Sequence, residues 1–241
     1  MTKPMTEPLD ADIAAALAGV TTASLTTILL KKGLRNVWMR GARPLGRVPR
    51  RVGRAFTLRF VPAREDLATP ASWASPTSTR AAIEAMPPGV IVVADAAGVT
   101  DSGIFGDILA ARMKMRGVAG LVTDGALRDI DGVAATGLPV WCNGAAAPPS
   151  VAGLTFVGWQ QPVGCGGVAV FPDDVIVADS DGAVVIPAAL VADVAREGIE
   201  QERLESWIMG EVERGVPLPG LYPADAATLA RYAASRSATE K

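Results

Sequence analysis

The feature that most constrains the fold is an alternation in the middle of the chain. Three short apolar runs, VIVVAD (90–95), VAGLVTD (118–124) and LPVWCN (138–143), are separated by two segments of helical character. The runs are rich in β-branched residues, the pattern of strands buried on both faces. The first separating segment, Asp107 to Arg116, reads as a helix stopped by Gly117; the second, ALRDIDGVAATG, reads as a helical turn or short helix. This order predicts parallel strands joined by right-handed crossovers, because a parallel pair needs a long connection. The chain is therefore of the α/β class.

Flanking segments fit around that unit. A helix is expected at about 9–19 with Asp10 near its start, and TTASLTTILLKKG reads as a second helix ending at Gly33. VGRAFTLRFV alternates in part like a strand, ATPASWASPTS (68–78) reads as a loop, and TRAAIEAM as a short helix ended by Pro87-Pro88. After the third apolar run, residues 155–187 read as strands with tight turns, with a hairpin signal at Asp181-Gly182. A long helix at about 188–214 carries Glu197, Glu200, Glu202, Glu205, Glu211 and Glu213, and the tail starts extended and ends in a helix. With no repeat and no clean linker, 1–241 reads as one domain: N-terminal helices about 9–32, core about 40–187, C-terminal helical arm about 188–241.

Composition mainly excludes. The formal net charge of -2 gives no general drive toward nucleic acid or a membrane surface. No apolar segment approaches the ~18 residues of a membrane span, and the N-terminus lacks a basic start followed by an apolar run. A cytoplasmic setting is the expectation. Cys142 and Cys165 make no metal or redox spacing and read as buried small hydrophobes. Trp141, Trp159 and Trp207 read as core or interface residues. Histidine is absent, which removes Ser-His-Asp triads, Cys-His pairs and HExxH zinc sites. Any metal site must then be oxygen-rich, favouring Mg²⁺ or Mn²⁺.

Within this frame Asp107 is followed, after twenty residues, by Arg128-Asp129. Asp107 opens a helix, and Arg128-Asp129 follows the strand that returns alongside it. The helix start and the strand end therefore fall at one edge of the sheet, where ligands of such sheets bind. The amides of Gly106, Asp107, Ile108 and Leu109 would hold a carboxylate at the helix N-terminus. Arg128 would grip the same group through two parallel bonds, and Asp129 offers a hard oxygen to a divalent cation. Taken one at a time, these residues read more often as a helix cap or dipole partner and a solvated ion pair.

FGDILAARMKMRGVAGLVTDGALRDI resembles the signature of the 4-hydroxy-4-methyl-2-oxoglutarate aldolase family, whose superfamily includes the regulator of ribonuclease activity A. The hallmark is Asp, twenty residues, Arg-Asp, matched here without gaps by Asp107, Arg128 and Asp129. The resemblance extends more loosely from GRAFTL through DSDGAVVIP to the Glu-rich helix. It implies a compact αββαβ-type sandwich of the swivelling-domain kind, with N-terminal helices and a C-terminal helical arm, assembled as trimers or hexamers with sites between subunits. It implies a class II pyruvate aldolase using Mg²⁺ or Mn²⁺ to cleave 4-hydroxy-2-oxo acids into pyruvate and a carbonyl compound, and to decarboxylate oxaloacetate. Arg128 would bind the pyruvyl group, Asp129 the metal, residues Gly106–Leu109 the carboxylate, and Asp107 a metal-bound water that moves protons. A Glu from a neighbour's C-terminal helix would approach the metal; Glu205 is the candidate, with Glu202 the alternative.

Three other readings compete. A protein-binding regulator without catalysis would share the fold but lack the intact Arg-Asp pair. A Schiff-base aldolase would need a desolvated lysine among Lys3, Lys31, Lys32, Lys114 and Lys241. The arginines at 40, 43, 47, 50, 51 and 54 read as a solvated loop or subunit contact rather than a nucleic-acid surface, because no aromatics interleave; one or two would suit a distal substrate carboxylate.

Overall fold

A computed structural model describes residues 8–239, with side chains through Arg236. Lys3 and Lys241 lie outside the described residues.

Two helices open the fold. α1 (Ala11–Ala18) starts at Asp10, whose carboxylate accepts the amides of Asp12 and Ile13, and α2 (Thr22–Lys31) follows after a sharp turn. The remaining strands are β1 (Arg43–Pro44), β2 (Arg51–Pro62), β3 (Ile91–Asp95), β4 (Gly120–Thr123), β5 (Val140–Cys142), β6 (Leu154–Trp159), β7 (Val175–Asp179) and β8 (Gly182–Ile186). The helices are α3 (Thr79–Ala85), α4 (Asp107–Met115), α5 (Ile130–Ala135), α6 (Val191–Glu213) and α7 (Ala226–Thr239).

The expected βαβαβ unit is present. β3, β4 and β5 pair in parallel with α4 and α5 as their connections. The whole sheet runs β1-β5-β4-β3-β2-β7-β8, with β6 added to the far end of β2. β2 is the spine: it pairs with β7 through Arg51–Arg54, with β3 through Ala55–Arg59 and with β6 through Leu58–Pro62. A strand with partners along its whole length has most of its backbone bonded within the sheet, and its buried side chains split between two cores.

That split explains why the central strands carry no polar alternation. Ile91 and Val93 of β3 enter the core beneath α1, α2 and α6, whereas Val92 and Ala94 enter the core beneath α3, α4 and α5. Trp141 is fully buried in the first core, and its indole N–H donates to the Asp179 carbonyl at 2.6 Å. Cys142 and Cys165 are both buried. Among the described residues no single helix is long and apolar enough to cross a membrane; α1 and α2 qualify only as a pair, bent by 107°, and Leu17, Leu25 and Leu29 are core residues.

One local expectation shifts. The β7–β8 hairpin forms, but its two turn residues are Ser180 and Asp181, since Asp179 pairs with Gly182. Gly182 opens β8 at φ +122°, a conformation that suits glycine, while the turn residues Ser180 and Asp181 keep negative φ.

Candidate active site

Asp107, Arg128 and Asp129 converge. The loop from β3 into α4 runs alongside the loop from β4 into α5: Gly103 pairs in parallel with Ala126, the Ile104 amide donates to the Ala126 carbonyl, and the Arg128 amide donates to the Phe105 carbonyl. The two helix starts are thereby pressed together. A Cβ on Gly106 would sit 2.7 Å from Asp129 Oδ2, and a Cβ on Gly132 would sit 2.8 Å from Asp107 Cβ. Asp129 thus fits against Gly106 at the start of α4, and Asp107 against Gly132 in the first turn of α5.

The common reading of these aspartates as helix caps does not describe them. α4 is capped by Gly106, and Asp107 is its first helical residue; Asp107 Oδ1 accepts the Ile108 amide at 2.7 Å. That amide, expected to be open for a ligand, is therefore engaged by Asp107. The Asp107 and Leu109 amides still have no acceptor within the helix, as holds for any first turn. Asp129 stands at the N-cap of α5 but its carboxylate makes no cap bond. Its backbone is left-handed (φ 52°, ψ 46°), and its Oδ2 accepts from Arg128 Nε at 3.1 Å. This leaves the two terminal nitrogens of Arg128 as a fork for a second anion. Arg128 is half-buried and Asp129 exposed, so the pair faces solvent. Ile108, beside them, is 79% exposed.

Two carboxylates that sequence reasoning passed over hold this edge of the sheet in shape. Asp124, just past β4, is buried; Oδ1 accepts the Ala96 amide, and Oδ2 accepts those of Gly98 and Gly166. Burial pushes its carboxyl up, and those three amides offset only part of the shift. Asp95, ending β3, accepts the Ala97 and Gly164 amides at 2.9 Å each. The signal was visible: both VIVVAD and VAGLVTD end in aspartate, a costly residue at the end of a buried strand unless backbone donors meet it.

The other predicted residues fall elsewhere. Glu205 lies on α6, where Gln201 Nε2 donates to it at 2.7 Å, and α6 packs on α1 and α2. Glu202 is engaged within the chain: its Oε1 accepts from Thr21 N at 2.7 Å and Thr21 Oγ1 at 2.9 Å, anchoring the start of α2. Among the described residues no three acidic, Cys or His side chains gather as a metal cluster, so one chain does not bring Glu205 to Asp107 and Asp129. Lys31 and Lys114 are exposed, and Lys32 pairs with Glu197 at 2.8 Å. The arginine group is dispersed: Arg50 bonds Asp179 and the Ala18 carbonyl, Arg54 the Asp173 carbonyl, and Arg40 the Asn36 side chain.

A mixed α/β sheet with a helix N-terminus, an arginine and two aspartates gathered at its strand ends defines a family. The model described as RraA-like, Aldolase/RraA, matches residues 12–185, and the chain belongs to that family. Among solved structures it is similar to Streptomyces coelicolor RraAS2, described as an unusual member of the RNase ES inhibitor RraA protein family. Identity is 33%, with TM-score 0.75, over 84% of this chain and 98% of that one. An uncharacterized protein from Pseudomonas syringae pv. tomato superposes with TM-score 0.78 at 25% identity, over 93% of this chain and all of the other. A relative from Halalkalibacterium halodurans, provisionally named a 4-hydroxy-4-methyl-2-oxoglutarate aldolase, is 36% identical over 116 residues, which are 48% of this chain and 54% of that protein. The chain spans about half the length of this curated relative.

Proposed function

We propose that the chain is a divalent-cation-dependent carbon–carbon lyase. It cleaves 4-hydroxy-2-oxo acids of the 4-hydroxy-4-methyl-2-oxoglutarate type to pyruvate and a carbonyl compound, and also decarboxylates oxaloacetate. The observation that carries this reading is Asp129: at the N-cap of α5 its carboxylate is turned away from the helix, toward Arg128 and Gly106. A purely structural aspartate there would bond the first-turn amides.

The donor set fits a hard dication. Mg²⁺ retains several waters and needs only one or two carboxylates, and Asp129 presents one at the surface. Asp129 would hold the cation, with Glu205 of a second copy of the chain as the further ligand. When bound, the cation supplies Lewis-acid polarisation of the 2-oxo group.

The chain's own residues do the rest. The free amides at the start of α4 and the guanidinium fork of Arg128 bind the substrate carboxylate and fix the C3–C4 bond. The C4 hydroxyl proton leaves through water held at Asp107, C4 becomes the carbonyl of the departing half, and the C3–C4 electron pair passes into the pyruvate enolate. Arg128 stabilises the negative oxygen of that enolate, which takes a proton at C3 to give pyruvate. Decarboxylation of oxaloacetate generates the same enolate without the hydroxyl proton transfer.

An oligomer with sites between subunits is part of the proposal. Met209 (59% exposed) and Val212 follow Glu205 at helical spacing on α6, and on α4 Ile108 and Met115, seven residues apart, share one exposed face. Apolar side chains flanking both halves of the expected site support burial against another copy.

Pyruvate release should be measured across 4-hydroxy-2-oxo acids and oxaloacetate, with Mg²⁺ and with EDTA. Asp129→Ala and Arg128→Ala should each lower kcat/KM by about 10²–10³-fold. Turnover that survives EDTA and both substitutions would falsify the mechanism. If no compound is turned over, the similarity to RraAS2 favours a protein-binding regulator.

A further inference from the structure

The connection from β2 to α3, residues 63–78, is long and contains only a 3₁₀ turn at Pro70–Ala74. Connections of this length usually carry function. This one is tied down. Arg64 clamps Asp66 with bonds of 3.0 and 2.6 Å, the Leu67 and Ala68 amides donate to the Arg64 carbonyl, and the Ser72 amide and hydroxyl both donate to the Thr69 carbonyl. With β6, Ser150 and Val151 it forms the walls of a half-open cavity of about 570 Å³. That is the size range of small-molecule sites.

The walls have a distinct chemistry. Trp73, Phe156, Leu67 and Val157 supply apolar surface, and Leu67 (51%) and Val157 (39%) remain exposed in this chain. Phe156 is held by stacking on Trp159 and an edge contact with Phe60, and Arg80 lies over the Trp73 ring at 5.1 Å. Hydroxyls are unusually dense on the lining, and those of Thr69, Thr77 and Ser150 have no protein partner among the described residues. Among the described residues the one ionic side chain lining the wall is Asp66, already paired with Arg64. No cationic side chain lines the cavity, since Arg80 is stacked on Trp73 and Arg64 is held by Asp66, so a carboxylate or phosphate would meet only arginines already engaged, and a cation only a carboxylate already spent. A neutral molecule with several hydroxyls and an apolar face meets a partner for each part.

We propose that this cavity binds a neutral polyhydroxylated ligand of the sugar or polyol class. Trp73 and Phe156 provide the apolar platform, and Thr69, Thr77 and Ser150 the hydrogen bonds. Asp107, Arg128 and Asp129 do not line it, so it is separate from the proposed catalytic edge.

The test titrates the full chain with neutral sugars and polyols, with sugar acids and inorganic phosphate as charged controls, read by tryptophan fluorescence and ligand-observed NMR. At least one neutral compound should bind saturably. Trp73→Ala and Thr77→Val should each weaken it by about ten-fold or more, with the ligand-free melting temperature of Thr77→Val unchanged. Arg128→Ala should bind as the parent does. Binding confined to charged compounds, no saturable binding, or binding indifferent to both cavity variants overturns the proposal. So does a Trp73→Ala that changes only the oligomeric state, which would assign the cavity to a contact between copies.

Discussion

Asp179 shows how one carboxylate can join distant parts of a chain. It is buried and accepts from the Thr22 amide (3.0 Å), the Thr22 hydroxyl (2.7 Å), the Asp181 amide (3.0 Å) and Arg50 (3.3 Å). Burial alone would push its carboxyl up, but Thr22, Asp181 and Arg50 outweigh burial and hold it below the ordinary value. Because the folded value is depressed, this stabilisation is present above the ordinary ~3.9 and is lost as pH falls through the folded value. The melting temperature should therefore drop on acidification below about pH 4, and Asp179→Ala should flatten that dependence while costing about 2–4 kcal/mol. A variant with unchanged acid sensitivity would place the titrating groups elsewhere. At the proposed catalytic edge, Gly106→Ala should leave the fold intact but displace Asp129, whose Oδ2 lies 2.7 Å from the new methyl position. The expected readout is a drop in activity of about 10-fold or more with a near-parental melting curve. The spacing of Asp107 and Arg128-Asp129 was legible because helix and strand lengths dictate where a chain returns. That Asp95 and Asp124 need backbone donors was legible too; which amides supply them was not, because, Ala97 apart, those residues lie far off in sequence.

At the scale of elements, α6 divides its faces among separate tasks. Gly198 packs on Val20, and Glu202 anchors Thr21. Glu200, Trp207 and Glu211 meet α7: Trp207 and Tyr232 rings lie 5.6 Å apart, Arg236 pairs with Glu200 at 2.9 Å, and Arg231 and Arg214 both donate to the buried Glu211. Removing that shared acceptor by Glu211→Ala should cost about 2–3 kcal/mol locally. Amide exchange should then speed up across α7 while β3 and β4 stay protected; uniform loss of protection would mean α7 is integral to the core. The long helix was predictable from its Glu-rich run. Which glutamate serves which face was not, because only the packing of α1 and α2 reveals that Glu202 is already engaged.

For the whole molecule, the parallel pairing of β3, β4 and β5 follows from a rule readable in the sequence: β-branched runs without alternation lie inside, and three of them joined by helices run parallel. What could not be read is that β2 joins three neighbours, since VGRAFTLRFV alternates only in part and its partners come from three separate stretches later in the chain. Trp141 ties the two halves, reaching from β5 to the β7 carbonyl of Asp179. Trp141→Phe should cost about 1–2 kcal/mol for the lost bond, and Trp141→Ala about 3–5 kcal/mol for the cavity. Both should shift a single urea transition measured by circular dichroism without splitting it. Two resolved transitions would show that the two cores unfold separately.

The left-handed turn at Asp129 also limits what evolution or a designer can put there. A library of all substitutions at 129, sorted for folded protein and not for turnover, should rank Gly and Asn above Ala, Val and Ile, since β-branched side chains tolerate that backbone worst. Sorted for turnover, the same library should lose Gly and Asn as well, because neither carries a carboxylate. One position would then be narrowed twice, by shape and by charge, with only the native residue meeting both demands.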